Sequence, residues 1–163
     1  MRIRKPSCLQ FKGDFLEPKL GINDISFVHN ALPDLSMEEI SLATELTGSG
    51  ITIKFPILVL AGDESDVPKL APSGACIAVV KGDSLRLYMD SKTYEMPADS
   101  INMVHIEDGI EAAKAVKLGY VPYIKLEQLD QLQLYLKQLR ITMFLTDSKD
   151  IPALKAAPIY RMS

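Results

Sequence analysis

The sequence predicts an α/β domain in which short buried strands alternate with helices. The apolar runs at residues 57–60 and 75–80 are too continuous for strands with one wet face, so they predict parallel strands buried on both faces. Farther along the chain, strand-like segments recur at intervals of roughly 18 to 20 residues with helix-forming residues between them, which is the spacing of a strand–helix unit. A chain of 163 residues can bury a core without metals or disulfides, but it is too short for an eight-unit barrel of about 250 residues.

We predict a single domain over residues 1–163, with an irregular first part at 1–54. Proline and glycine are scattered through this part around short strand-like pieces at 25–28 and 51–53. Such a composition is typical of a lid or an end plug over a core. The strand–helix units occupy residues 55–163.

The segment at 85–96 predicts a β-hairpin inserted among these units. Strand-like residues 85–89 and 92–96 flank Asp90 and Ser91, and a two-residue connection is the commonest one in tight hairpins. The pair lacks the glycine that such turns prefer, so the turn is predicted from spacing alone.

After the hairpin, the alternation predicts four more strands and three helices. The strands are expected at residues 101–106, 121–126, 141–145 and 159–162, and the helices at 109–118, 127–140 and 150–156. With the two earlier runs this gives about six parallel strands, which cannot close with eight-strand barrel geometry. The prediction is therefore a partial or shortened βα barrel, with an open flavodoxin-like sheet as the alternative. An exposed sheet edge needs a cover, so we expect a homo-oligomer or a protein partner.

A stripe of leucines runs along the predicted helix at 127–140. Its members are Leu129, Leu132, Leu136 and Leu139. The stripe is shorter than two heptads, so packing on a sheet is favoured over a coiled coil. The alternative is an oligomer contact that uses the neighbouring Leu134 and Tyr135.

The charge balance argues against nucleic acid or a membrane as a partner. The chain carries a formal net charge of −3, and its one basic cluster, Arg2, Arg4 and Lys5, is either a solvated tail or an anion contact. It has no apolar run of about 20 residues and no signal-peptide pattern. Cys8 and Cys76 lie far apart without other ligands at zinc spacing, so neither a metal site nor a disulfide framework is expected. A reducing cytoplasm is the simplest location.

Carboxylates follow several predicted strands, at the sheet end where α/β proteins bind ligands. They are Asp63, Glu64, Asp108 and Asp147. Such groups bind a hydroxyl, an amine or a divalent cation through oxygen. They also cap helices by accepting hydrogen bonds from backbone N–H groups, which is the favoured interpretation for Asp108 and Asp147.

His105 ends an apolar strand at the same sheet end, where a neutral imidazole can act as a general acid or base. A structural histidine is the competing interpretation. The sequence contains no nucleophile elbow, dinucleotide fingerprint or phosphate-binding Gly-Lys-Ser/Thr loop, which excludes those enzyme classes on local grounds.

Residues 21–60 resemble the entry segment of flavin- and phosphate-binding TIM barrels. The stretch His29-Asn30-Ala31-Leu32-Pro33, followed by Pro56-Ile57-Leu58-Val59-Leu60, is similar to type 2 isopentenyl-diphosphate isomerase and to the IMP dehydrogenase and GMP reductase group. The resemblance implies a βα barrel fold, an FMN cofactor and a phosphorylated substrate. It also implies anion contacts from Arg4, Lys5, His29 and Asn30.

The chain differs from that group at the turn after the first buried strand. The flavin-contacting glycine-rich turn is replaced by Ala61-Gly62-Asp63-Glu64, which puts two carboxylates where an anionic cofactor would sit. The later glycine-rich loops that hold the flavin phosphate have no counterpart.

Two hypotheses of different class follow. The first is a non-catalytic binding or subunit protein on a degenerate barrel scaffold, acting by association with itself or with a partner. The alternative is a small isomerase or oxidoreductase that acts on a phosphorylated metabolite, with FMN as its cofactor. In that enzyme His105 and Glu107 transfer protons while Arg4 and Lys5 hold the anion.

Overall fold

The computed structural model describes residues 20–46 and 49–162, so Arg4, Lys5 and Cys8 lie outside the described residues. Within these ranges the strands are β1 Ile25–Phe27, β2 Thr44–Glu45, β3 Thr52–Ile53, β4 Leu58–Leu60, β5 Cys76–Lys81, β6 Ser84–Met89, β7 Lys92–Pro97, β8 Met103–His105, β9 Val121–Lys125 and β10 Ile159–Arg161. The helices are α1 Val67–Leu70, α2 Gly109–Lys117, α3 Leu132–Leu145 and α4 Ile151–Ala156. In this part of the chain, no helix is long and apolar enough to cross a membrane.

A mixed sheet of six strands, in the order β7-β6-β5-β4-β9-β8, forms the centre of the described part. β4 pairs in parallel with β5 and β9, and β8 pairs in parallel with β9. These four strands confirm the predicted parallel strands near 57–60, 75–80, 101–106 and 121–126. The α/β class is confirmed as well.

Six parallel strands were too many, because residues 141–145 belong to α3 and β10 pairs with β1 outside this sheet, which leaves β4, β5, β8 and β9 as the parallel strands. The other two strands of the sheet, β6 and β7, run antiparallel to their neighbours. They form the predicted hairpin, which extends the sheet beyond β5 as one of its edges. Through residues 20–46 and 49–162 the sheet stays open between β7 and β8, and no closed barrel is seen.

The hairpin turn adopts the left-handed conformation without a glycine. Asp90 and Ser91 have φ angles of 51° and 67°, as both central residues of a type I′ turn require. The two-residue spacing therefore predicted the turn correctly. The absent glycine leaves Ser91 in a conformation that most L residues adopt only at a cost.

The two faces of the sheet are covered differently. The described helices pack on one face, where alternate strand residues such as Ile57, Val59 and Ile77 join one core cluster. The intervening residues, including Leu58 and Ala78, join a second cluster on the other face. Leu46, Ile51 and Ile53, at and beside the β2–β3 ribbon, cover that second cluster. Within the described part, helices therefore do not cover both faces as in a flavodoxin-like sheet.

A second ribbon joins distant parts of the chain. β1 pairs in an antiparallel manner with β10, so the strand predicted at 159–162 exists but does not belong to the parallel series. Its partner is β1, which lies in the first third of the chain.

The strand predicted at 141–145 is wrong, because these residues form the last part of α3. Isoleucine, threonine and phenylalanine favour strands, but helical continuation keeps Leu136, Leu139 and Met143 on one buried face. Burial of a whole helix face outweighs a strand preference of about 1 kcal/mol or less per residue.

The leucine stripe packs in the core, as favoured. Leu132, Leu136 and Leu139 are buried in the cluster between the helices and the sheet. Tyr135 is also buried, so it does not present the surface that the oligomer alternative needs, whereas Leu134 is exposed.

Candidate functional site

His105 lies at the carboxyl end of β8, as predicted, in a hydrogen-bonded cluster. Its Nε2 lies 2.6 Å from Oε1 of Gln128. The Gln128 side-chain nitrogen donates to the carbonyl of Ile106, and its Oε1 also accepts from the backbone N–H of Lys125. Because the amide oxygen faces the ring, Nε2 of His105 carries the proton and donates it in this bond.

This geometry leaves Nδ1 as the nitrogen of His105 that can exchange a proton. Nδ1 lies 3.7 Å from a carboxylate oxygen of Glu107, whose side chain is 70% exposed. Water competes for such an exposed carboxylate, so Glu107 orients the ring weakly. The two residues are brought together, but their contacts are those of a surface pair at a strand end.

Glu64 is the most strongly perturbed of the strand-end carboxylates. It accepts hydrogen bonds from the Tyr88 hydroxyl, from Lys81 Nζ at 3.0 Å and from Arg86 Nη1 at 2.5 Å. These donors, first the Tyr88 hydroxyl and then Lys81 and Arg86, lower the pKa of Glu64 to about 2. Glu64 therefore serves as the hub of a polar network that ties the loop after β4 to β5 and β6.

The low pKa of Glu64 gives the stability of the protein a defined pH dependence. The unfolded carboxyl titrates near 4.5, so the network contributes its full stabilisation above that pH. The contribution is lost as the pH falls from about 4.5 toward 2, because the folded state must then take up a proton it binds poorly.

The other strand-end carboxylates have local structural roles. Asp63 accepts from the backbone N–H of Ser65 at 2.7 Å and from its hydroxyl, and the hydroxyl bond is the main reason that the pKa of Asp63 is lowered. Asp108 caps α2 by accepting from the N–H of Glu111 at 2.8 Å, which confirms the capping interpretation. Asp147 caps no helix. It adopts a φ of 55° and accepts from the N–H of Asp34.

The turn after β4 does not fit the phosphate of a flavin. The N–H of Ser65, which an anion would need, is already bonded to Asp63. Glu64, which its low pKa keeps ionised near neutral pH, already accepts the hydrogen bonds of Lys81 and Arg86 that a phosphate would need. No group of three His, Cys, Asp or Glu side chains capable of holding a metal ion occurs among residues 20–46 and 49–162.

Of the predicted anion contacts, Arg4 and Lys5 lie outside the described residues, and His29 lines the apolar groove described below, so this set of contacts stays a prediction. His29 and Asn30 are exposed and follow β1, and the N–H of Asn30 donates to the carbonyl of Leu145 at 2.8 Å. Cys76 is buried, and burial raises the pKa of its thiol to about 12. An uncharged thiol in that position is a poor nucleophile.

An apolar recess lies elsewhere, between the ribbon strand β1 and helices α2 and α3. This groove encloses about 590 Å³ and is lined by residues of all three elements and by Tyr160 of β10. Val28, Ile110, Ile141 and Tyr160 contribute apolar surface and are 39% to 56% exposed. Large side chains clustered in this way mark an interaction site more often than scattered ones do.

Two polar side chains of the groove, Lys114 and Gln138, offer hydrogen-bond donors. Lys114 lines it and is not ion-paired with any described residue. Gln138 uses its side-chain oxygen to accept from the N–H of Gly109 at 2.8 Å, so its amide nitrogen remains as a donor. No aspartate or glutamate is among the described residues that line the groove.

Sequence reasoning missed this groove for one identifiable reason. Gln138, Ile141, Thr142 and Leu145 recur at i, i+3, i+4 and i+7, which is the pattern of one helix face. The strand predicted at 141–145 interrupted that pattern.

Comparisons with known protein families and with curated proteins found no relative of this chain. No protein family matches the chain, and no curated protein is significantly similar to it.

Proposed function

We propose that the protein is a non-catalytic binding protein and that the groove between β1, α2 and α3 is its docking surface. The observation that carries the proposal is the convergence of four exposed apolar side chains with two donors in one recess of about 590 Å³. Recesses of this size and composition are the usual places where proteins bind partners or ligands.

The outer edge of β1 is not open to a further strand. The N–H of Val28 donates to the carbonyl of Pro158, and the N–H of Met162 donates to that of Asp24. Alternate residues of an antiparallel strand direct their backbone groups to opposite edges. Those of Ile25 and Phe27 therefore face away from β10, but Ile25 is 0% and Phe27 6% exposed, so this edge is covered.

Phe27 also lines the groove. A partner segment would therefore bind through apolar side chains placed in the recess rather than through main-chain pairing with β1.

The charge of Lys114 favours a different protein over a second copy of this chain as the occupant of the groove. Two copies that met groove to groove would bring Lys114 of each toward the other, which costs energy in a poorly hydrated interface. An extended partner segment with apolar side chains and one carboxylate would instead pair with Lys114 and the Gln138 amide. We therefore assign the groove to an acidic, apolar segment of another protein.

The proposal can be tested with synthetic peptides of about six residues, the usual length of a strand. One peptide alternates valine and serine with a central aspartate, and its counterpart has lysine at that position. Fluorescence polarisation should show binding of the aspartate peptide, weakened by about tenfold or more in Ile141→Ser. Lys114→Glu should reverse the preference between the two peptides.

Leu134→Ser is the matched control, because Leu134 is also exposed on the same helix (47% against 39% for Ile141) but does not line the groove. It should bind the aspartate peptide as the unchanged protein does. Equal loss in Ile141→Ser and Leu134→Ser, or binding by neither peptide, contradicts the proposal. If the protein instead forms a concentration-dependent dimer that Ile141→Ser abolishes, the occupant of the groove is a second copy of this chain and not another protein.

The enzyme hypothesis stays a prediction. Neither His105 nor Glu107 lines the groove or the other described recesses. The shortened-barrel ancestry also stays a prediction, and the docking proposal does not depend on it.

A further inference from the structure

A second concavity, of about 550 Å³, lies on a different part of α3 from the groove. Residues of the segment 41–43 and of 54–55 form one side, Ser73 contributes another, and α3 forms the last with Gln133, Leu136, Lys137 and Arg140. The docking groove uses Gln138, Ile141, Thr142 and Leu145 of the same helix. The two recesses share no lining residue.

The charged side chains of this concavity all have one sign. Lys54, Lys137 and Arg140 line it, and none of its described lining residues is acidic. This is informative in a chain that has 21 acidic and only 18 basic residues. No carboxylate of the described residues lies within 4.0 Å of these three cations.

An acidic turn packs beside α3 but forms no ion pair with the cations. It comprises residues Met37–Glu39, and neither Glu38 nor Glu39 has a carboxylate oxygen within 4.0 Å of the three cations. Lys137 and Arg140 are three residues apart on one helix, so their charges repel each other. A bound anion would remove that repulsion.

The remaining lining restricts the class of anion. Leu42, Phe55 and Leu136 are largely buried and give the concavity an apolar floor. The Ser73 hydroxyl already donates to the carbonyl of Leu70 and accepts from the N–H of Ala75. The charged groups available to a ligand are therefore all cationic, with the neutral side chains of Ser41 and Gln133 beside them, above an apolar surface.

We infer that this concavity binds a small molecule that carries a phosphate group and an apolar or planar part. An arginine presents a fork of N–H donors that matches phosphate oxygens, and the lysines add point charges around it. The volume lies within the range of about 300 to 1,000 Å³ typical of small-molecule sites. This inference does not rest on the docking function, and neither proposal requires the other.

The test uses inorganic phosphate, pyrophosphate, adenosine monophosphate and citrate as probes, with ¹H–¹⁵N NMR titration of the full chain. The phosphate probes should bind saturably, adenosine monophosphate more tightly than inorganic phosphate because the apolar floor contacts its base. Citrate, which carries similar charge on carboxylates, should bind at least about tenfold more weakly than pyrophosphate. Equal binding of citrate and pyrophosphate would overturn the assignment to phosphate.

Matched double variants separate a site from general electrostatics. Lys137→Gln/Arg140→Gln should weaken pyrophosphate binding by about tenfold or more. Lys69→Gln/Lys92→Gln removes the same charge from exposed positions outside the concavity and should leave binding within about twofold of the unchanged protein. Equal weakening in both pairs, or no saturation up to about 10 mM, overturns the inference. The NMR spectra of each variant report whether it is folded.

Discussion

Gly109 is the position where the structure and local sequence rules make opposite predictions. It is the first residue of α2, and alanine is favoured over glycine by about 1 kcal/mol in a helix. A Cβ at this position, however, would lie 2.0 Å from the carbonyl oxygen of Tyr135 and 2.7 Å from the backbone nitrogen of Leu139. We therefore expect Gly109→Ala to destabilise the protein.

The size of the destabilisation follows from the backbone movement that a Cβ at position 109 requires. Ordinary contact begins at 3.4 Å, so the backbones of α2 and α3 must separate by more than 1 Å (3.4 − 2.0 = 1.4 Å). A gap of about 0.5 to 1 Å already forfeits a quarter to a half of each dispersion contact, and the separation would also stretch the 2.8 Å bond from Gly109 N–H to Gln138. Overpacking costs about 1 to 3 kcal/mol when side chains can adjust. Because the obstacles here are largely backbone atoms, we expect about 3 to 5 kcal/mol.

Urea denaturation followed by circular dichroism measures this loss, and thermal unfolding should show a Tm lower by about 6 to 20 °C. Gly21→Ala is the control, since a Cβ there meets only a carboxylate oxygen of Asp24 at 3.5 Å. It should change the free energy of unfolding by less than about 1 kcal/mol. A Gly109→Ala protein as stable as the control would refute the close α2–α3 packing.

Three further predictions concern other elements. Glu64→Gln should lower the urea midpoint at pH 7. Near pH 2 the variant and the unchanged protein should have similar midpoints, because protonation of Glu64 weakens the same network in the unchanged protein. A midpoint difference that is constant between pH 7 and pH 2 would contradict the role of the carboxylate. Ser91→Gly should raise the free energy of unfolding by about 0.5 to 1 kcal/mol in urea titrations, since glycine adopts the φ of 67° without a steric penalty; a loss of stability would contradict the turn assignment. In a Cys8→Ser background, Cys76 should resist a thiol reagent at pH 8 in the folded protein and react fully in guanidinium, and rapid reaction of the folded protein would contradict its burial.

Local signals predicted the parts of the fold that neighbouring residues control. Asp108 and Gly119 delimit α2 through a side-chain cap and a left-handed residue with a φ of 88°. The continuous apolar runs predicted β4 and β5, because burial on both faces requires apolar residues at every position. These signals depend on residues close together in the chain, so they can be recognised in the sequence.

The failures were all decided by distant partners. Residues 141–145 have side chains suited to a strand, yet packing against α2 and the sheet keeps them helical. β10 was predicted as a strand, but only the folded chain brings it beside β1. Long-range pairing of this kind depends on which apolar surfaces meet, and the hydrophobic effect itself is not directional.

For the candidate sites, too, local sequence predicted the positions of single residues but not their partners. The sequence placed His105 and Glu64 at strand ends, because the ends of buried runs are visible in it. Their hydrogen-bond partners, Gln128 as acceptor for His105 and Tyr88 with Arg86 as donors to Glu64, come from other elements. The roles predicted for His105 and Glu107 in catalysis remain predictions.

The sequence by itself determined the α/β class, the central parallel strands, the hairpin and the helix caps, since each depends on the order of residues along a few turns of chain. Only the tertiary structure decided that the sheet stays open in its described part, that helices cover one face, and that α3 presents an apolar groove and a cationic concavity. The physical reason is that a recess is the space left where distant elements meet, and its shape and charge are properties of their packing.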